Sequence, residues 1–561
     1  MGFVDLHVHS VRSDGTLTPA ELVDYAVEKG LAAMALTDHD TVDGIDEILE
    51  YAKGKPIEII PGIEYSTEYK GRDVHIVGLF IDHKAPEFLG YLDRFKKSRT
   101  VRNHKLCANL QGAGIDISYE ELMGEFPGAV ITRAHYAKLL LKKGYVNSSR
   151  EAFDRYLGDH TPYFVHREKI TPKEVIDVTI AAGGLPILAH PLLYGLGKEQ
   201  LEELVKMLKS QGLMGMETVY STFLPADERR MKRLAKKYGL LESGGSDFHG
   251  SNKPGLDLAT GYGKLYVDEE VLEKQKRALR TKIFFTDMDN TLLTADKKIS
   301  DRTYDKLMEM LAGGHHLAFA SGRPVNSILD TIKALGIIDG YRRLSGKGRI
   351  GGIYATAYNG ALVYDCIEGR AVEQLVISME TAQRIFDMAV SENVHIQTYT
   401  DTHIVASCDD EELEFYTKNV VMPYVVETDL GRVLKNPPYK LIAIALDDRQ
   451  KLERLREKIE GSDIGNEVMC AYSNAKYLEF YNKNAGKGNA LVALCRALNV
   501  PVRNSVAAGD EENDISMIKA AGVGAAVANA NPALKECADY VTENDNEHDA
   551  AVEIIDKFIL S

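Results

Sequence analysis

Residues 3–15, Phe-Val-Asp-Leu-His-Val-His-Ser-Val-Arg-Ser-Asp-Gly, decide the fold of the first half of the chain. Phe3-Val4-Asp5-Leu6 reads as a buried strand. Side chains alternate along a strand, so His7 and His9 share one face. Two imidazoles on one face at a strand end can hold one metal ion. Asp14 follows in a Ser-Asp-Gly turn able to fold back toward them. An H-x-H pair alone is more often structural, so the rest of the chain has to supply further donors.

It supplies them repeatedly. Thr18 reads as an N-cap, Pro19 suits the first helical position, Glu21 completes a capping box and Gly30 ends the helix. Ala32-Ala33-Met34-Ala35-Leu36 is a strand that runs into Thr37-Asp38-His39-Asp40. Residues 57–60 lead into Pro61-Gly62-Ile63-Glu64, and the strand over 73–80 carries His75. Residues 185–188 lead into Ala189-His190-Pro191, 215–220 form a further strand, and 240–245 run into Ser246-Asp247-Phe248-His249. Strands alternating with helices predict a parallel sheet. In a closed α/β barrel the strand ends gather at one face, where sites are built. The candidate ligands of a multinuclear metal site are His7, His9, Asp14, His39, Glu64, His75, His190, Asp247 and His249.

The bulk numbers fit a chain of several cores. At 561 residues, roughly two to four domains are expected. With 45% hydrophobic and 27% charged residues the composition is that of a soluble protein. No apolar run reaches the length of a membrane span, and no signal peptide is evident, so a cytoplasmic location is expected. A net charge of −16 argues against a general nucleic-acid surface. Cys107, Cys366, Cys408, Cys470, Cys495 and Cys537 form no C-x-x-C pair and read as reduced structural thiols. Eleven of the 16 histidines precede residue 250, so the two halves are expected to run different chemistry.

The motifs H7-x-H9-x4-D14, T37-D-H39-D, P61-G-I-E64, H75, A189-H190-P and S246-D-F-H249 resemble the PHP (polymerase and histidinol phosphatase) family over residues 1–280. The resemblance implies a distorted (β/α)7 barrel with two or three Mn, Zn, Fe or Mg ions and phosphoester hydrolysis. A helical insertion is expected over about 95–170. It carries the basic run Arg94-Phe-Lys-Lys-Ser-Arg99-Thr-Val-Arg102 and the stretch Thr132-Arg133-Ala134-His135. It resembles the lid of the PHP branch that acts on nucleoside 3′,5′-bisphosphates and on 5′ ends of short RNA. That likeness implies substrate contact by Arg99, Arg102, Arg133 and His135. His104, His160 and His166 are given no role.

A charged connector over 271–282 leads directly into a second domain over 281–561. The strand Ile283-Phe284-Phe285-Thr286 ends in Asp287-Met288-Asp289, two carboxylates pointing the same way. One can attack phosphorus while the other handles protons. Ala318-Phe319-Ala320-Ser321 ends in a hydroxyl suited to a phosphate oxygen. Gly486-Lys487-Gly488 begins a helix with an ammonium group. Residues 506–514 place Asp510, Asn513 and Asp514 where they suit Mg. This ordered set resembles the haloacid dehalogenase (HAD) superfamily, in its Cof-like, sugar-phosphatase branch. The resemblance implies a Rossmann-like core with Asp287 as nucleophile, Asp289 as general acid/base, Ser321 and Lys487 on phosphate, and one Mg. The Mg would be held by Asp287, Asp289, Asp510, Asn513 and Asp514. The long gap between Ser321 and Lys487 predicts an α/β cap over about 361–475. Arg323 and Asn359 are candidates for substrate contact, although Asn359-Gly360 also reads as a plain turn.

The leading expectation is a bifunctional phosphohydrolase of small phosphorylated substrates, nucleotides and short oligonucleotides included, with no membrane or large nucleic-acid partner. The two centres are also candidates for acting in series on one substrate. A histidinol-phosphate-type monoesterase, a non-catalytic regulatory domain and C–N hydrolysis of the amidohydrolase kind are the alternatives. The arginines of the insertion count against the first and the last of these. The sequence does not set the oligomeric state.

Overall fold

The computed structural model describes residues 2–158, 160–165, 170–346, 350–400, 402–420 and 422–561. The chain divides into two compact units, Met1–Leu279 and Arg280–Ser561.

The first unit is built on β1 (Val4–Val8), β2 (Ala33–Leu36), β3 (Glu58–Tyr69), β4 (Arg72–Leu79), β5 (Leu185–Leu188), β6 (Gly215–Tyr220) and β7 (Leu241–Gly245), paired in that order. The sheet curls until β7 meets β1. The Asp247 amide donates to His7 O at 2.9 Å, and the His9 amide donates to Phe248 O at 3.0 Å. Gly245 permits this approach, since a Cβ there would stand 2.5 Å from the His7 nitrogen. Helix Pro19–Lys29 forms as its signals predict. Thr18 and Glu21 make a reciprocal capping box, and Gly30 ends the helix at φ 76°.

The expected all-parallel sheet is corrected at β4, which runs antiparallel to both β3 and β5. The cause is local. Lys70 (φ 49°) and Gly71 (φ 78°) form a two-residue turn with both φ positive, so β3 and β4 are a hairpin. Between β4 and β5 lie the helices of the insertion, chiefly Pro86–Gly112, Tyr119–Glu125 and Arg133–Lys142. They share their own buried cluster, which includes Leu106, Leu110, Ile131, Tyr136 and Leu140.

In the second unit the core strands are β8 (Ile283–Asp287), β9 (His316–Ala320), β10 (Ile353–Ala357), β11 (Leu362–Asp365) and β12 (Arg370–Gln374). The cap strands are β13 (His395–Tyr399), β14 (Ile404–Ala406), β15 (Tyr424–Val426), β16 (Lys440–Ile444), β17 (Val468–Asn474) and β18 (Tyr477–Asn482). The chain then returns to the core with β19 (Ser505–Gly509), β20 (Val523–Ala526) and β21 (Tyr540–Val541). The core sheet has the order β12-β11-β10-β9-β8-β19-β20-β21, and the cap sheet β15-β14-β13-β16-β18-β17. The expected cap limits of about 361–475 shift accordingly. Residues 362–374 turn back through Tyr358-Asn359-Gly360 and extend the core sheet, while β18 completes the cap.

Candidate active sites

Glu64 is the centre of the first site. It is 1% exposed and faces five imidazoles. Its Oε2 lies 3.3 Å from His7 Nε2, 3.3 Å from His9 Nε2 and 3.1 Å from His39 Nδ1. Its Oε1 lies 2.8 Å from His75 Nδ1 and 2.9 Å from His190 Nε2. Asp247 Oδ1 stands 3.4 Å from His9 Nε2, and Asp14 Oδ1 stands 3.2 Å from His249 Nε2. All nine histidines and carboxylates expected from the sequence therefore meet at one place. His75 reaches it from the first half of β4, because the antiparallel direction brings that half to the face where the parallel strands end.

The donor set fits divalent cations. Several overlapping groups present one donor atom from each residue, all within 4.8 Å of one another, such as His9, Asp14, His39 and His249, or His7, Glu64 and His190. Asp14 Oδ1 is buried and accepts no hydrogen bond among the described residues. A buried oxygen left so is costly unless something positive completes it. Mixed imidazole and carboxylate donors suit Mn, Fe or Zn better than Mg. Burial lowers His39 to about 3. Burial works against a charge on His9, but the hydrogen bonds it donates to Asp247 and Glu64 outweigh this and raise it to about 9. Two ligand backbones are strained, His190 at φ 25° and Asp247 at φ 56°. Such strain persists where the surrounding structure fixes it, commonly at functional sites.

Beside the cluster is a cavity of about 210 Å³ whose wall includes Asp14, His39, His75, Arg99, Arg102 and Arg133. Arg99 donates to Asp40 Oδ2 at 2.7 Å and to Ser66 Oγ at 3.0 Å. Arg133 donates to Asp73 Oδ2 at 2.7 Å and lies over the Phe164 ring. Phe153 and Phe164 complete an apolar side. His135 does not line this cavity. Its Nδ1 accepts the Thr132 amide at 2.9 Å, and its ring packs on Phe126, so it caps its own helix. His104 packs against Tyr119, His160 meets Asp154 O at 3.0 Å, and His166 lies outside the described residues.

Three supporting residues escaped the sequence reading. Glu217 Oε1 accepts His7 Nδ1–H at 2.8 Å, and its Oε2 accepts the His190 amide at 2.5 Å. Tyr220 donates to Asp247 Oδ2 at 2.6 Å, and Lys253 lies 2.5 Å from the same oxygen. Glu217 had a signal: a carboxylate inside the apolar strand Gly215–Tyr220 has to be buried and partnered.

The second site lies where β8, β9 and β19 end. Lys487 Nζ lies 2.6 Å from Asp287 Oδ1 and 2.6 Å from Asp514 Oδ1. Asp510 Oδ1 accepts the Thr291 hydroxyl at 2.7 Å. Asp289 Oδ1 is held by Arg323 at 2.5 Å and Lys297 at 2.7 Å. Ser321, Asn359 and Asn513 line the same cavity, about 1200 Å³ in volume. Asn359 is both turn and wall: it adopts φ 55°, and its Nδ2 donates to Glu479 Oε2 at 2.9 Å. Glu479 also meets the buried Lys440 at 3.0 Å. Burial pushes Asp287 up to about 7 despite Lys487, and Asp510 up to about 6. These carboxylates hold more negative charge than Lys487 balances, which fits a place for one divalent cation.

Residues 5–158 match the family model described as a PHP domain, and residues 284–555 match that of the haloacid dehalogenase-like hydrolases. A 5′-3′ exoribonuclease of Haemophilus influenzae is 40% identical over 245 residues, 44% of this chain and 89% of that protein. A 3′,5′-nucleoside bisphosphate phosphatase of Chromobacterium violaceum is 33% identical over 266 residues, 46% of this chain and 91% of that protein. Phosphatase YwpJ of Bacillus subtilis is 28% identical over 293 residues, 48% of this chain and 97% of that protein. Both families are phosphatase or phosphoesterase families that depend on divalent metals.

Proposed function

We propose that this chain, which belongs to the PHP family through its first half and carries a haloacid dehalogenase-like hydrolase domain in its second, hydrolyses phosphoesters at two distinct centres. The observation that carries the first reading is the convergence of five imidazoles on Glu64 next to a cavity walled by three arginines. His7, His9, Asp14, His39, Glu64, His75, His190, Asp247 and His249 would hold two or three ions, of Mn, Zn, Fe or Mg. Such ions supply Lewis acidity and an acidified water. Arg99, Arg102 and Arg133 clamp phosphoryl oxygens, more guanidinium than one small monoester requires. Phe153 and Phe164 offer a surface for a base. The substrate class is a nucleoside 3′,5′-bisphosphate or the 5′ end of a short RNA. This is supported by the two relatives with those activities.

In the second centre Asp287 attacks phosphorus and forms an aspartyl phosphate, while Asp289, ionised here by its pairs with Arg323 and Lys297, takes up a proton once substrate draws those cations away and gives it to the departing ester oxygen. Asp289 then takes a proton from the water that cleaves the acyl phosphate. Lys487 balances phosphoryl charge, Ser321 donates a hydrogen bond to a phosphoryl oxygen, and Asn359 and Arg323 contact the substrate. Asp510, Asn513 and Asp514, with Asp287 and Asp289, would hold one Mg, which offsets repulsion between carboxylate and phosphate. The substrate is a small phosphorylated metabolite such as a sugar phosphate.

Release of phosphate from adenosine 3′,5′-bisphosphate and of a 5′-mononucleotide from a 5′-phosphorylated trinucleotide tests the first assignment. Both activities are expected in the native enzyme and in Asp287→Asn, and neither in His9→Ala. Undiminished release by His9→Ala would falsify the barrel as the catalyst. For the second, a panel of sugar phosphates is expected to be hydrolysed by His9→Ala and not by Asp287→Asn.

A further inference from the structure

The cap carries a third convergence of donor atoms, outside both sites. His395 opens β13, and its Nδ1 lies 2.8 Å from Asp410 Oδ1. Cys408 Sγ lies 2.8 Å from Asp410 Oδ2 and 3.8 Å from His395 Nδ1. The three residues can each turn one donor atom to a common point. The imidazole is buried, and the thiol is exposed.

The far side of the ring sets its tautomer. His395 Nε2 meets Gln397 Oε1 at 3.1 Å, while the Gln397 amide nitrogen donates to Tyr399 OH at 3.4 Å. With that orientation Gln397 accepts, so Nε2 carries the hydrogen. Nδ1 then presents a lone pair to a carboxylate oxygen. Two acceptors 2.8 Å apart require a proton or a cation between them. The thiol beside them favours the cation. Imidazole, thiolate and carboxylate together are a soft-to-borderline set that selects Zn over Mg or Ca. A tetrahedral Zn, about 2.0 Å from N and O and about 2.3 Å from S, separates its ligands by about 3.3–3.6 Å. The 3.8 Å sulfur–nitrogen spacing is near that value, and the 2.8 Å contact between His395 Nδ1 and Asp410 Oδ1 opens by about half an ångström.

We infer that His395, Cys408 and Asp410 form a cap site for a zinc-class divalent cation, with its fourth position open to water, and that the bound cation braces the wall of the phosphatase cavity. The bracing follows from connectivity. Residues 395, 397 and 399 share one face of β13. Tyr399 OH meets Tyr416 OH at 2.5 Å, and both tyrosines line the cavity. Asp410 is also the N-cap of helix Glu411–Asn419, which carries Tyr416. The cation-binding claim stands on the trio alone. The bracing rests on reading that cavity as the substrate site.

Cobalt titration of the full chain separates the two claims. Neither catalytic cluster includes a cysteine, so a thiolate-to-cobalt charge-transfer band reports this site alone. With the barrel already loaded with Mn, the band is expected to saturate at about one further equivalent, to be bleached by Zn, and to be absent from Cys408→Ser and His395→Ala. No band in the native chain, or an equal band in Cys408→Ser, overturns the site. In the His9→Ala background, KM for Mg-dependent hydrolysis of p-nitrophenyl phosphate is expected to shift about twofold or more when one equivalent of Zn is added. Adding Cys408→Ser should remove that shift. A band with an unchanged KM overturns the bracing, and hydrolysis that persists when Asp287→Asn is added to the His9→Ala background overturns the reading of the cavity instead.

Discussion

Glu217 decides which nitrogen of His7 faces the cluster. By accepting Nδ1–H it leaves the Nε2 lone pair aimed at Glu64 and Asp247. Its other oxygen ties down the strained His190 backbone. Partners of this kind commonly change metal affinity about 10–100-fold when removed. Glu217→Ala is therefore expected to lose metal from the barrel by about that factor, read as bound Mn or Zn after equilibrium dialysis. Glu217→Gln, which keeps one acceptor, should lose less. Retention equal to the native chain in Glu217→Ala would remove the orienting role. In the second unit the corresponding single-residue prediction concerns Asp289. Asp289→Asn keeps its shape and loses the proton, so kcat should fall about 10²–10⁴-fold with sugar phosphates while KM changes little. A fall confined to KM would make Asp289 a binding group only.

At the scale of elements, the insertion helix Arg133–Lys142 shows what a sequence motif leaves out. Arg133 and His135 stand two apart in one stretch, yet helical geometry sends Arg133 to the cavity and turns His135 back onto Thr132. Burial lowers His135 to about 4 from the ordinary 6.5. Between those values the unfolded chain takes up a proton that the folded chain refuses. Stability is therefore complete above about pH 6.5 and is lost as pH falls toward 4, by up to about 3 kcal/mol. His135→Gln restores an ordinary Thr-x-x-Gln capping box without a titrating ring. Its melting temperature is expected to fall less than the native one between pH 7.5 and 5, and an identical fall would contradict this account. The hairpin of β3 and β4 makes a second case. The reversal of β4 was not legible in the sequence, since apolar periodicity carries no strand direction. At φ 78° Gly71 has open space around it, so Gly71→Ala should cost about 1 kcal/mol from backbone strain alone. A larger loss in denaturant titration would mean that the turn also sets the register of His75.

Across the whole molecule, the parts most legible in the sequence are those where chemistry is tied to a strand end. His7, His39, His190 and Asp247 follow apolar strands, and so do Asp287, Ser321 and Asp510. Donors that arrive from within an element, such as Glu217 or Lys440, can be read as buried, but their partners emerge only from the three-dimensional pairing. The two centres so assembled differ in donor chemistry. One gathers imidazoles for borderline metals, while the other relies on carboxylates, Lys487 and a covalent step. They should therefore fail independently: His9→Ala removes one activity, Asp287→Asn the other, and the double variant both. If the centres also act in series on a nucleoside 3′,5′-bisphosphate, the Asp287→Asn chain should accumulate a nucleoside monophosphate. Mixing it with His9→Ala should then carry the reaction to the nucleoside, because the intermediate is free to diffuse between molecules. Chromatography of the products over time decides the matter. A monophosphate that His9→Ala leaves untouched would separate the two reactions, and the second centre would then serve a substrate that the first does not make.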